Sequence, residues 1–406
     1  MNAKLFTLAC GNFTVGVSTF VIAPMLGDIG MDLDAGRAVA GQLIVVYSLA
    51  YALGGPLLTA LVGHRPPRQV LLVALAVFAV GNGLTSAAVD FPGAVAGRVV
   101  AGMGAGVYTA NALAVTRRLV AGDRQGRAVA FVVGGLTAAI VLGLPIGAWL
   151  GSTTSWRLVL GLLVVAATLP MAGILLLPAL DGAPAVALRD RLAPLRDRRV
   201  LATLLATWLC LTASWTVYNF IDEVLLPATG GDPGRQFVAL LGFGVGAVAG
   251  NLLAGRLADR YGPERTIVVV APLLTVAVMV VPLAAVTMPL ALLCVGLWAM
   301  LHWMVNVPQQ LRLAAAAPDA APIVLGLHQS TIYLGISTAG LVGALGYSLA
   351  GPTGIGYAAF ATGLLALCAL WWSFRARSDR TLSNDRAPET DGAHYPTGRD
   401  EAQGNH

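Results

Sequence analysis

Apolar runs of about twenty residues follow one another along almost the whole chain, separated by short polar segments. Twelve can be marked. In the first half they lie at roughly 5–26, 38–62, 69–88, 93–116, 128–150 and 157–178. In the second they lie at roughly 199–223, 236–257, 266–286, 290–312, 322–350 and 355–374. A helix rises 1.5 Å per residue, so about 20 apolar residues cross the hydrocarbon of a bilayer. Each run therefore predicts a membrane-spanning helix. Two stretches break the pattern. Residues 179–198, ALDGAPAVALRDRLAPLRDR, are polar and contain prolines, which predicts a linker with room for a short interfacial helix. Residues 375–406 are polar and rich in Asp, Arg, Gly and Pro, which predicts a disordered tail.

The pattern also repeats. Residues 38–72 are echoed at 235–269, each an apolar segment, an Arg-containing loop and the start of another apolar segment. Leu57 and Leu58 match Leu252 and Leu253, Arg65 matches Arg260, and Arg68 matches Arg265 after a two-residue gap. The expected fold is an all-α membrane protein of twelve helices in two pseudo-symmetric six-helix bundles. The bundles are residues 1–178 and 199–374, joined by the linker 179–198 and followed by the tail 375–406. Duplicated helical halves in a membrane are the sequence mark of a transporter with its site between them.

Composition agrees with the bilayer. The chain is 57% hydrophobic and 11% charged, with mean hydropathy +0.77, where a soluble chain carries about twice that charged fraction. The 48 glycines suit close helix packing in lipid. Cys10, Cys210, Cys294 and Cys368 all fall inside apolar runs without metal-site spacing and read as small buried hydrophobes. The start, MNAKLF, leads into the first apolar run without a cleavage pattern and reads as the first span.

Charge orients the helices. With both termini inside, 21 of the 25 Lys and Arg residues are cytoplasmic, and only Arg37, Arg98, Arg157 and Arg235 fall elsewhere. The opposite orientation would place nearly all positive charge outside, against the positive-inside rule. A multi-pass bacterial plasma-membrane protein with cytoplasmic N- and C-termini is expected. Basic residues confined to short loops do not suggest a nucleic-acid partner.

Three motifs narrow the reading. The loop after the eighth run is GRLADRYGPER. In it Gly255 would let two helices approach, Asp259 would pair with an Arg or cap a helix, and Gly262 would make a tight turn. Arg260 and Arg265 would anchor the loop at the cytoplasmic face. The first-half copy carries His64 where Asp259 stands. The fourth run, GRVVAGMGAGVYTANALAV, holds Arg98 near its outer end and a small face of Gly102 and Gly106. An arginine at that depth faces a cavity or partner, or snorkels to the interface. The fifth run, GGLTAAIVLGLPIGAWLG, sets Pro145 between Gly143 and Gly147, a pattern that kinks a helix.

These segments resemble the loop, helix-4 and antiporter signatures of the major facilitator superfamily. Residues 20–26, 41–56, 70–84 and 328–346 are similar to its drug:proton antiporter branch, with the arabinose-efflux-permease-like and chloramphenicol-efflux-like exporters nearest. The resemblance spans about residues 5–374 and implies the MFS fold, alternating access and proton-driven export. Thr19 stands where many relatives carry a helix-1 Glu, which puts that route of coupling and of cationic-drug recognition in doubt. The resemblance further implies that helices 1, 4, 7 and 10 line the central cavity. The substrate-binding candidates are then Asn12, Ser18, Arg98, Trp215, Tyr218, Asn219, His302 and Asn306.

Arg98, Asp222 and His302 are the candidates for proton coupling or a gate. His302 is near the midplane, where it could carry protons or simply hydrogen-bond a neighbouring helix. Asp222 either pairs with Arg98 as an outer gate or is a solvated interfacial acid beside Glu223. On helix 11, His328, Gln329, Ser330 and Tyr333 could reach the cytoplasmic half of the cavity. No P-loop, haem or zinc motif occurs, so the expected drive is a proton gradient with no cofactor and no metal. The expected protein is a monomeric antiporter in lipid that exports a small amphipathic antibiotic such as a chloramphenicol-like compound. The alternatives are a sugar, nucleoside or metabolite exporter of the same fold and, further off, a polytopic membrane enzyme. The short, arginine-bearing loops argue against the enzyme.

Overall fold

The computed structural model describes residues 3–62, 64–120, 124–178, 180, 182 and 188–384. Among them there is no β-strand. Twelve spanning units follow in chain order. They are α1 (Ala3–Phe20), α2 (Gln42–Val62), α3 (Pro67–Ser86), α4 (Phe91–Leu119), α5 (Gln125–Thr153) and α6 (Trp156–Leu175), then α7 (Arg198–Tyr218), α8 (Pro233–Tyr261), α9 (Pro263–Ala284), α10 (Met288–Ala316), α11 (321–349) and α12 (352–384). Ten helical stretches are long and apolar enough to cross a membrane, and the bent pair Ala3–Phe20 and Ala23–Asp32 makes an eleventh. The twelfth comes from the 58-residue stretch Pro318–Arg375, which is two spans. It breaks where Gly351 takes φ 62° and ψ −149°, a conformation essentially reserved for glycine.

Several helices are broken where the sequence suggested one run. α1 bends by 41° before Ala23–Met25, at Pro24. α7 stops at Asn219 and resumes as Ile221–Thr229. α10 breaks at Val305, directly after the midplane His302. In α5 the expected kink is a π-helical turn, Ala139–Gly143, immediately before Pro145. The linker contains the short helix Leu188–Leu192, while 179, 181 and 183–187 lie outside the described residues. α12 continues to Asn384, past the point where a disordered tail was expected to begin; 385–406 lie outside the described residues.

Helix neighbours repeat with a shift of six. α2 and α3 pack on α4 as α8 and α9 pack on α10, α1 packs on α5 as α7 packs on α11, and α3 packs on α6 as α9 packs on α12. Across the halves, α2 meets α11 and α8 meets α5, a pair of contacts that the same shift exchanges. This is the two-bundle architecture that the sequence repeat predicts.

Small residues allow the approaches. A Cβ on Gly102 would run into the backbone of Tyr47, and one on Gly106 into the backbone of Tyr51 and Gly55, so this face of α4 lies on α2. Gly143 sits against Val17 of α1, and Gly147 against Val21 just beyond its end. The outer surface is apolar: Leu158, Leu162, Val165 and Leu169 of α6 are all exposed, as lipid-facing positions are. The helix ends at Val62 and Pro67, Leu119 and Gln125, Tyr261 and Pro263, and Ala316 and Ala321 share one end of the molecule with the linker helix Leu188–Leu192, and most of the arginines in the sequence fall in or beside these connections. The opposite, arginine-poor end is tied by Asp32, which accepts from Arg157 and, at 3.0 Å, from the Trp156 indole.

Candidate functional site

A cavity of about 370 Å³ opens between the two halves at the arginine-rich end. Its inner end is bordered by Tyr51 of α2, whose ring stacks on that of Tyr333 of α11 with centres 3.4 Å apart. One wall is α2 and α4, the other is α11, and Arg191 reaches in from the linker helix. The polar lining comprises Thr59, Thr109, Gln329, Ser330, Arg117 and Arg191, against a larger apolar surface from residues such as Leu113, Ile323 and Leu327. The volume lies in the range of about 300–1,000 Å³ typical of small-molecule sites, as does the sparse polar lining.

On the arginine-poor side of the midplane the halves are closed. Phe20 of α1 stacks on Trp215 of α7 at 5.4 Å, and the Tyr218 hydroxyl donates to the Phe20 carbonyl at 3.0 Å. His302 meets the face of Trp215 edge-on at 4.7 Å. Gln236 adds a bond from its amide to the Pro24 carbonyl at 3.3 Å. Substrate-sized space is therefore present on the arginine-rich side, and aromatic contacts join the halves on the other.

Behind this aromatic layer is a buried polar cluster in the first half. Arg98 is wholly buried. Its guanidinium donates to the Ser18 hydroxyl at 3.1 Å and to the Ser18 carbonyl at 3.2 Å, and it lies 3.8 Å over the Tyr47 ring. The Ser18 hydroxyl donates in turn to the Asn82 side-chain oxygen at 2.8 Å, and the Tyr47 hydroxyl pairs with Thr19 at 3.1 Å. The Nε of Arg98 has no hydrogen-bond partner. These neighbours are hydroxyls, a carbonyl and a ring, so the expected pairing of Arg98 with Asp222 does not occur. The reason is the break in α7 at Asn219: it puts Asp222 in the first turn of the separate helix Ile221–Thr229, off the α7 face that meets α1. Nor does Arg98 snorkel, because Tyr47 covers it.

The remaining substrate-binding candidates are buried between helices instead of lining the open cavity. Asn12 donates to the Val132 carbonyl at 3.0 Å, and Asn219 donates to the Ile336 carbonyl at 3.0 Å. Trp215, His302 and Asn306 each keep one buried polar atom without a hydrogen bond, at Nε1, Nδ1 and Oδ1 respectively. Of the expected cavity helices, only α4 contributes to the lining; α1, α7 and α10 are filled at mid-depth by their own aromatic residues. The helix-11 reading fares better: Gln329 and Ser330 line the cavity, Tyr333 is buried against the lining residue Tyr51, and His328 is buried. Sequence reasoning missed Tyr51, Thr59, Arg117 and Arg191. The usable signal was Gly55–Pro56 inside α2, a helix-weakening pair in a span, opposite the small stripe Gly106, Ala110 and Ala114 of α4.

The motif residues divide. Gly262 has φ 85° and makes the expected turn. Gly255 faces open space, so the close approach to α10 is made by Gly246 and Gly250, against Gly296 and Met300. Asp259 is exposed and caps no helix, since α9 begins at Gly262 without a side-chain cap. Arg260 lies over the ring of Tyr261, and Arg265 is exposed at the arginine-rich end.

Comparison with known proteins agrees with this architecture. The sequence profile of the Major Facilitator Superfamily matches residues 8–340. An uncharacterized MFS-type transporter of Bacillus subtilis (strain 168), YbcL, is 30% identical over 357 residues, covering 87% of this chain and 92% of that protein. A chloramphenicol resistance protein of Streptomyces lividans is 34% identical over 281 residues, 68% of this chain and 71% of the relative. A probable sugar efflux transporter of Haemophilus influenzae (strain PittGG) is 26% identical over 368 residues, 89% and 91% of the two chains. A crystal structure of a POT family transporter in complex with a thioalcohol-conjugated peptide superposes with TM-score 0.71 over 92% of this chain and 96% of its own, at 11% identity, a likeness of fold alone. The repeated bundles, the cavity between them and the family profile converge: the chain is a multi-pass membrane transporter, not an enzyme, and it belongs to the Major Facilitator Superfamily.

Proposed function

We propose that the chain is a proton-coupled exporter of a small amphipathic compound, working as a monomer by alternating access between the halves 1–178 and 199–374. The observation that carries this reading is the one-sided cavity: open at the arginine-rich end, closed by Phe20, Trp215 and Tyr218 at the other. By the positive-inside rule the arginine-rich end is cytoplasmic, which puts both termini and the 179–198 linker inside. The cavity then opens to the cell interior, and similarity to a chloramphenicol resistance protein and a probable sugar efflux transporter supports loading there for export. Its mixed lining suits a molecule with an apolar body and a few hydrogen-bonding groups. Similarity to a chloramphenicol resistance protein makes an antibiotic of that kind the first substrate to test.

Coupling falls to buried groups that can exchange protons or feel charge. His302 borders the aromatic layer with a ring nitrogen unbonded, Arg98 holds an uncompensated charge in the first half, and Asp222 is half-buried near the closed end. A second reading, export of a sugar or other metabolite, is favoured by the similarity to a probable sugar efflux transporter and by the hydroxyl and amide groups of Thr59, Thr109, Gln329 and Ser330.

The test is chloramphenicol accumulation in an efflux-deficient bacterium expressing the chain. We expect accumulation to fall several-fold and a protonophore to restore it. Unchanged accumulation removes this drug and favours the metabolite reading; a fall that survives the protonophore removes proton coupling.

A further inference from the structure

A second, smaller cavity of about 50 Å³ lies at the arginine-rich end of the second half. Arg199 and Thr203 of α7, Arg312, Ala315 and Ala316 of α10, and Ser373 of α12 line it. At about 10–15 Å³ for each water-sized sphere it has room for about four, too few for a drug-sized ligand. Arg312 is buried, and its hydrogen bonds go to neutral groups: Nη1 donates to the Gln309 side-chain oxygen at 2.7 Å and Nη2 to the Ser373 hydroxyl at 2.8 Å. A guanidinium has five N–H groups, so three remain. Arg199 differs. Its Nε and Nη2 grip the Asp197 carboxylate at 3.2 and 2.7 Å, and Nη2 also donates to the Ala316 carbonyl at 3.1 Å. Asp197 offsets that charge, so the net charge the two arginines bring is that of Arg312. The bland reading is that Arg312 ties α10 to α12 and water fills the gap. A tie needs no gap beside it, and a buried cation held by neutral groups stays costly until an anion joins it.

We infer that this cavity holds a phosphate group with a single negative charge, the phosphodiester of a membrane lipid headgroup. Room for about four water-sized spheres matches the four oxygens of a phosphate. Those oxygens only accept hydrogen bonds, and the remaining N–H groups of Arg312 only donate. One net positive charge matches a diester, whereas a free phosphate carries close to two negative charges at neutral pH. The depth fits as well. Trp371 and Trp372, exposed on α12 next to Ser373, are residues of the kind that sit at a membrane–water interface. Leu201 of α7 and Leu311 of α10, close in sequence to the lining residues, are exposed apolar side chains that suit contact with acyl chains. The site is apart from the large cavity between the halves, and it does not depend on what that cavity carries.

Native mass spectrometry of the full-length protein in a non-ionic detergent tests it, with phosphatidylglycerol and the diacylglycerol of the same acyl chains as probes. We expect phosphatidylglycerol to bind at least tenfold tighter, a difference of about 1.4 kcal/mol. In Arg312→Met the preference should fall below about threefold. Arg256→Met removes an exposed arginine of α8 at the same end and should leave the preference intact, which separates a site from general attraction to a basic face. Ala315→Trp keeps both arginines and blocks the exposed rim of the cavity, so it should abolish the preference even if Arg312→Met fails to fold. Inorganic phosphate at 10 mM separates the sources: we expect it to leave phosphatidylglycerol bound. If phosphate displaces the lipid, or raises the melting temperature of the parent but not of Ala315→Trp, the occupant is a soluble phosphate and the lipid assignment falls. Equal binding of the two lipids, or a preference that survives Ala315→Trp, overturns the inference.

Discussion

A single arginine sets the sharpest residue-level expectation. Arg98 is wholly buried, its Nε is unbonded, and its partners are the Ser18 hydroxyl and carbonyl and the Tyr47 ring. A buried cation without a carboxylate carries a desolvation cost that three neutral neighbours only partly offset. Residues kept at such cost inside a membrane are functional by default. Arg98→Met keeps the length of the side chain and removes the charge. Its melting temperature in detergent should stay within a few degrees of the parent or rise, while transport falls at least tenfold. A drop in melting temperature of ten degrees or more would mean that the arginine is chiefly a structural post. That Arg98 is special was legible in the sequence, because a lone charge stands out in an apolar run. Its partners were not, since Ser18 and Tyr47 are ordinary residues 80 and 51 positions away, and only the packing of α1 and α2 on α4 brings them together.

For the elements, small residues decide which helices can touch. Gly106 abuts the backbone of α2, where a Cβ would lie 2.5 Å from the Tyr51 carbonyl oxygen and 3.0 Å from the Gly55 nitrogen. Gly255 has open space around it despite sitting in the loop signature. Gly106→Val should therefore cost about 1–3 kcal/mol through overpacking, while Gly255→Val should leave stability near the parent. Thermal unfolding of the two variants side by side checks the contrast, and equal effects would refute it. Helix positions were legible because hydropathy reports residence in lipid. The facing of each helix was not, because lipid is as apolar as leucine and gives an outward face no mark of its own. α6 is the more apolar span yet only a minor part of it is buried, whereas the less apolar α7 is mostly buried. The more apolar span is the more peripheral one, so hydrophobicity alone points the wrong way for finding the centre. Family resemblance supplied the centre instead, and it nominated α1, α7 and α10, whose aromatic side chains close the space they were expected to line.

At the scale of the whole molecule, the one-sided cavity makes the two membrane faces unequal. In a background with Cys10, Cys210, Cys294 and Cys368 replaced, a cysteine at Thr59 should react with a membrane-impermeant maleimide in inside-out vesicles at least several-fold faster than in right-side-out cells. A cysteine at Ser18, buried behind the Phe20–Trp215 layer, should be slow from both sides. Fast labelling of Thr59→Cys from outside would reverse the proposed orientation.

The Tyr51–Tyr333 stack draws one ring from each half, so the halves cannot part without undoing it. On the alternating-access reading, every turnover breaks and remakes an aromatic contact of about 0.5–1.5 kcal/mol beyond its buried area. The same two rings are one layer of the closure between the cavity and the far side, in series with the Phe20, Trp215 and Tyr218 layer. Throughput and leakage are then partly tied together at this pair of side chains. A looser pair would cycle faster but let ions slip through uncoupled, draining the gradient on which the cell depends. A tighter one would hold the gradient and clear its cargo slowly. Selection acting at these two positions thus trades speed of clearance against the idle running cost of the membrane.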